Sequence, residues 1–167
     1  MLKNLQKIQV RNNILKSDAF VTNDVYDVPN FSVEMETGTG KTYVYLRTIF
    51  ELNKLHGFKK FIIVVPSVAI REGVISSIKL MREHFRALYN NVPFDDFVYN
   101  SKDLSKVRQF AVNNELQLMI INIQAFQKDE NIFNQERDKL ASGRSARELM
   151  QATSPIIIID EPQSVDN

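Results

Sequence analysis

Six consecutive residues, Thr37-Gly38-Thr39-Gly40-Lys41-Thr42, combine almost no side-chain bulk with one fixed positive charge. Backbone N–H groups in such a loop can approach an anion closely. The apolar-periodic run that follows reads as a helix whose N-terminus faces the same point. Together they describe a cradle for a polyphosphate, with Lys41 reaching the β- and γ-phosphates and Thr42 ligating Mg²⁺. Met35 stands at the first position of the phosphate-loop pattern, where Gly or Ala is usual, whereas Gly40-Lys41-Thr42 matches its end. The bland alternative is a strand–turn–helix junction with a capping threonine. A predicted strand before the loop and a helix after it favour the phosphate reading.

A second cluster closes the chain. In "IIIIDEPQ", Ile156 to Gln163, two adjacent carboxylates follow an apolar run. Asp160 is placed to hold a metal ion through water and Glu161 to polarise an attacking water. Alone, the pair is equally a solvated turn; a phosphate loop in the same chain shifts the balance. Two weaker segments are "VVPSVAIREGV" (Val64–Val74) and "INIQAF" (Ile121–Phe126). Pro66 and Ser67 serve structurally as a strand stop and a helix N-cap, and Asn122 and Gln124 as loop polars. Functionally, the same residues offer amides and hydroxyls to a nucleic-acid phosphate.

These groups require elements to hold them. Residues 2–16 read as an amphipathic helix, 17–30 as a turn-rich loop, and Phe31–Glu36 as a strand entering the glycine loop. A helix from Thr42 to about Leu55 stops at Gly57. "FIIVV", Phe61–Val65, is a strand buried on both faces, and Ser67 caps a long helix to about Leu88, closed by Asn90 and Asn91. A short strand near Phe97–Tyr99, a helix over 103–112 and the strand Leu116–Ile121 follow. Residues 127–146 read as an exposed polar insertion, then a short helix over 146–151 and the strand ending at Asp160. Strands alternating with helices predict βαβ units and a mostly parallel sheet flanked by helices. Each reactive cluster follows a strand, and ligands of such sheets bind beyond the carboxyl ends. The domains expected are an N-terminal helix and loop, 1–30, and a partial α/β domain, 31–167.

The remaining sequence mainly excludes. Its 167 residues, 44% hydrophobic and 25% charged, suit one soluble globular domain. A net charge of +1 gives no bulk case for nucleic acid. Cysteine is absent, which rules out disulfides and thiolate metal sites and is compatible with a reducing cytosol. No apolar run is long enough to cross a bilayer, and the mixed-charge start is not a signal peptide. His56 and His84 lie far apart without ligand-like neighbours. No glycine follows an aspartate by three residues and no Asn-Lys-x-Asp occurs, which argues against a small GTPase.

With "EMETGTGKT", "VVPSVAIREGV", "INIQAFQKDEN" and "IIIIDEPQ" in this order, the chain resembles the motor (Res) subunit of type III restriction enzymes, within the superfamily 2 helicases. Gln163, where many relatives carry histidine or aspartate, and the Met-Glu-Thr opening point to that subgroup. The resemblance covers essentially the whole chain, most strongly from Phe31 onward. It implies a RecA-like P-loop NTPase fold, ATP and Mg²⁺, and translocation along double-stranded DNA with a modification methyltransferase subunit, in the cytoplasm and without a membrane. It also implies that Gln163 couples the γ-phosphate to a second motor domain and that Pro66, Ser67, Asn122 and Gln124 contact DNA. Gln6 and Gln9 match an adenine-reading glutamine by residue type only.

Family members are several times longer. The coupling motif, the second RecA-like domain with its arginine fingers and the nuclease domain are expected beyond Asn167, so the chain reads as a piece of a larger subunit or a truncated gene product. Two functions follow: the ATP-binding part of a translocating restriction endonuclease, or a non-catalytic remnant or partner-binding module. The strand expected after Asp160 would lie between Phe31–Glu36 and Ile156–Asp160, so an empty slot or direct pairing of these two is expected. Phe61–Val65, Leu116–Ile121 and Ile156–Asp160 should still form one parallel set.

Overall fold

The three apolar runs expected as inner strands do pair in parallel; apart from Gln117, the residues of Phe61–Val65, Leu116–Ile121 and Ile156–Ile159 are all apolar. The computed structural model describes residues 1–22, 29–101, 103–127 and 146–164. In chain order the elements are α1 (Leu2–Arg11), β1 (Val21–Thr22), β2 (Pro29–Asn30), α2 (Lys41–His56), β3 (Lys60–Val65), α3 (Val68–Leu88) and β4 (Phe94–Val98). Then come α4 (Ser105–Val112), β5 (Leu116–Asn122), α5 (Gln124–Gln127), α6 (Ala146–Ala152), β6 (Ile156–Ile159) and a 3-10 turn, Pro162–Ser164. They fall into two compact units, Met1–Thr39 and Gly40–Asn167.

In the second unit the sheet order is β4-β5-β3-β6, all parallel. Ile63 pairs with Ile120 on one side and Ile158 on the other, so β3 is central. Side chains alternate between two cores. On one face Phe61, Ile63, Val65, Leu118 and Ile120 pack with Leu46, Ile49 and Phe50 of α2 and Val74, Ile78 and Phe85 of α3. On the other face Ile62, Val64, Met119 and Ile121 meet Val107 and Phe110 of α4 and Met150 of α6. The result is a helix–sheet–helix sandwich, with α2 and α3 on one face and α4 and α6 on the other.

Helix ends follow local chemistry. The Ser67 hydroxyl accepts from the Ile70 N–H at 3.3 Å, capping α3 as expected. At the other end Asn90 and Asn91 adopt left-handed backbone, and the Asn91 N–H reaches the Arg86 carbonyl at 2.7 Å. Asparagine tolerates that conformation and closes the helix.

In the first unit α1 ends at Arg11, short of the predicted residue 16. Asn13 is left-handed (φ 57°), and the N–H groups of Asn13 and Ile14 turn back to the carbonyls of Val10 and Gln9. This closure cancels the residual apolar periodicity at Ile14 and Leu15. Two short strands, β1 and β2, pair antiparallel within the stretch expected as loop. Phe31–Glu36 forms no strand, contrary to its sequence pattern. A strand needs a ladder partner, and among the described residues this segment has none; Phe31 and Val33 are exposed. It does not pair with β6, whose second edge carries no strand among the described residues. The polar insertion expected at 127–146 lies almost entirely outside the described residues.

Candidate functional site

Glycine is required where the loop turns. Gly38 and Gly40 have φ of 80° and 91°, and a Cβ at either would meet nothing within 4 Å. Backbone conformation, not space, therefore selects glycine at both positions. Thr39 returns to the Glu36 carbonyl through its N–H (3.3 Å) and its hydroxyl (2.6 Å). Gly40 then serves as the N-cap of α2, so that Lys41 and Thr42 occupy its first turn, where the backbone N–H groups lack helical partners.

The other half of the site comes from β6. The Asp160 N–H donates to the Val64 carbonyl at 2.9 Å, extending the β6–β3 ladder by one residue. The chain then turns sharply at Glu161, whose φ of 56° is rare for a residue with a side chain. Such backbone strain recurs at functional sites. The turn carries the Glu161 carboxylate to Lys41, 120 residues earlier, where Nζ donates to Oε1. Gln163, on the 3-10 turn, donates from Nε2 to the second oxygen, Oε2.

The adjacent carboxylates are driven apart electrostatically. Hydrogen bonds from Lys41 and then Gln163 hold Glu161 below the usual glutamate range. Burial, followed by the Glu161 charge, pushes Asp160 up, with Lys41 opposing. One carboxylate is thereby fixed as an ion while its neighbour is the more readily protonated.

Pro66, Ser67, Asn122 and Gln124 converge on the same edge. The Ile123 N–H donates to the Val65 carbonyl at 3.0 Å, and the Gln124 Nε2 donates to the Pro66 carbonyl at 3.0 Å. Ser67 is occupied as the α3 cap, whereas the Asn122 side-chain oxygen is buried with no partner. Because β3 lies between β5 and β6, this cluster and the Lys41–Glu161 pair stand on neighbouring strand ends. Gln6 and Gln9, by contrast, both hold Ser17: Gln6 Nε2 donates to its carbonyl at 2.9 Å, and Gln9 clasps it at both ends of its amide.

Tyr45 was not anticipated by motif. It follows Thr42 by three residues on α2, its ring packs on the α2–α3 core, and its hydroxyl is buried. Thr42 and Asp160 are the polar groups that act on it. The helical offset from Thr42 was the available signal.

A lysine at a helix N-terminus meeting a carboxylate pair at the end of a neighbouring parallel strand defines an α/β domain of the RecA-like, helicase-type class. The chain belongs to the family of type III restriction enzyme res subunits, whose model matches residues 2–162. It is 34% identical over 155 residues to the Type III restriction-modification enzyme StyLTI Res subunit of Salmonella typhimurium, covering 81% of this chain and 16% of that protein. Over 178 residues it is 30% identical to the EcoP15I Res subunit of Escherichia coli, covering 95% of this chain and 18% of the relative. Over 91 residues it is 45% identical to the EcoPI Res subunit of Escherichia phage P1, covering 52% and 9%. The chain therefore spans less than a fifth of the length of these relatives. Among the described residues no helix is long and apolar enough to cross a membrane.

Proposed function

We propose that this chain is the ATP-binding part of a type III restriction Res motor, which hydrolyses ATP to move on double-stranded DNA and cleave it. Its partner is a modification methyltransferase subunit, and it acts in the cytoplasm. The observation that carries this reading is the junction of Lys41, Glu161 and Gln163, since it joins the glycine loop to the carboxylate pair.

In this reading the amides of Thr37, Gly38, Thr39 and Gly40 surround the phosphates and Lys41 pairs with the β- and γ-oxygens. The donor set, one hydroxyl at Thr42 and one carboxylate at Asp160, suits Mg²⁺, which keeps waters and takes its remaining ligands from phosphates. Bound there, Mg²⁺ would supply neutralisation of charge developing on the phosphoryl oxygens. Arrival of the γ-phosphate gives Lys41 a stronger partner and frees Glu161 to orient and polarise the attacking water. Gln163 senses that exchange through its bond to Glu161 and passes it to a second motor domain. Pro66, Ser67, Asn122 and Gln124 line the adjoining strand ends where a DNA phosphate would lie, the orphan Asn122 oxygen suiting a bridging water as donor.

Calorimetric titration of the chain with ATP and Mg²⁺ tests this reading. Lys41→Ala should remove a charged hydrogen bond of about 1.5–3 kcal/mol and with it measurable binding. Equal binding by both proteins would overturn the assignment.

A further inference from the structure

The charges of the first 17 residues are segregated rather than mixed. Lys3, Lys7, Arg11 and Lys16 lie there, and no acid precedes Asp18. Four of the chain's 21 cations and none of its 20 acids occupy that segment, so the remainder is net −3. A bulk charge of +1 thus conceals a local basic patch.

The helix gathers these charges. Lys3, Lys7 and Arg11 recur every fourth residue of α1, so they share one face at steps of about 6 Å along its axis. All three are exposed, and none forms an ion pair among the described residues. The half-buried positions, Leu2, Leu5, Gln6 and Gln9, lie on the opposite side, where Gln6 and Gln9 hold Ser17. The stripe does little for its own helix. Like charges four residues apart repel, and Lys3 occupies a first turn where the dipole favours acids and none is present. Only Arg11, in the last turn, suits the dipole. Solubility is served as well by interspersed charges of both signs.

A row of cations fits a polyanion. A membrane-bound helix would add one continuous apolar face, but exposed Ile8 and Val10 are two residues apart and point to different sides. No aromatic residue lies on α1 to stack an unpaired base. What remains is regularly repeating phosphate, bound without regard to sequence. We propose that the face of α1 bearing Lys3, Lys7 and Arg11 docks on the sugar–phosphate backbone of duplex DNA. This rests on the duplex-DNA part of the function proposed above.

The experiment is fluorescence anisotropy of short labelled duplexes titrated with the chain, from about 50 to about 200 mM KCl. The triple variant Lys3→Gln, Lys7→Gln, Arg11→Gln should weaken binding to two duplexes of unrelated sequence equally. Its slope of log K against log salt should be shallower by about three, one per cation removed. Lys3→Arg with Lys7→Arg should keep the wild-type slope. Glutamine is about as good a helix former as lysine, so circular dichroism should be unchanged. If helicity falls, the single variants Lys3→Gln, Lys7→Gln and Arg11→Gln decide, each expected to lower the slope by about one. A wild-type slope in the triple variant overturns the inference and leaves the DNA reading standing. Tighter binding to a single strand, or to vesicles of phosphatidylserine and phosphatidylcholine, also overturns it. No duplex binding by wild type overturns both.

Discussion

Lys41 and Glu161, separated by 120 residues, form an ion pair at the carboxyl edge of the sheet, and Gln163 holds the free oxygen of the same glutamate. Each group thereby occupies the other: the lysine charge is neutralised, and both oxygens of the carboxylate accept hydrogen bonds.

Replacing Glu161 separates binding from chemistry. In an ATPase-active subunit that carries this chain, Glu161→Gln should leave ATP affinity nearly intact and slow hydrolysis by about 10²–10⁴-fold, the range for a positioned base. Turnover near the wild-type rate would place the base elsewhere. Single-turnover measurements are the suitable readout, because they isolate the chemical step from product release.

An aromatic stack should dominate stability. Phe50 lies 5.0 Å from Phe85 and 5.1 Å from both Tyr89 and Phe94, ring centre to ring centre. It is the point where α2, α3 and β4 meet. Phe50→Ala should cost about 3–5 kcal/mol in denaturant unfolding. A loss under 1 kcal/mol would mean that the stack is not packed as described.

The pair of Arg82 and Asp96 supplies a pH dependence. Burial raises the Asp96 carboxyl, and the Arg82 guanidinium bonded to it opposes but does not cancel that rise. With the folded value above the unfolded one, the native state keeps a proton that the unfolded chain has already released. Stability due to Asp96 is thus full at low pH and is lost as pH rises from about 4 through the raised value. Carboxyl NMR titration should find Asp96 above the ordinary range, and Arg82→Ala should move it further up. A midpoint at or below the ordinary value would contradict the burial of this group.

The β6 edge should drive association. β6 pairs only with β3 among the described residues, and Ile157 and Ile159 are 58% and 48% exposed. An unpaired apolar edge is a template for another strand. Sedimentation of the chain should show concentration-dependent association that Ile157→Lys reduces. A monomer at all concentrations would show that the edge is otherwise protected.

Much of this chain was legible because its signals are local. The runs at Phe61–Val65, Leu116–Ile121 and Ile156–Ile159 are apolar at nearly every position, which identifies strands of a parallel sheet; β3 and β5 are covered on both sides, β6 on one. Asn90 and Asn91 end α3 as expected, through their tolerance of left-handed backbone. The glycine loop, Pro66-Ser67, Asn122-Gln124 and Asp160-Glu161 each follow a predicted strand, which predicts one common edge for all four, and the last three do stand at the ends of β3, β5 and β6. The strand at Phe31–Glu36 was misread because a strand exists only with a ladder partner, which no window of sequence contains. For the same reason spacing alone did not reveal that Glu161 bends back, through a positive φ, onto a lysine 120 residues away, or that the Tyr45 hydroxyl is buried. Those are relations between segments, set by the crossover packing of α2 and β6 against β3, and only the folded chain determines them.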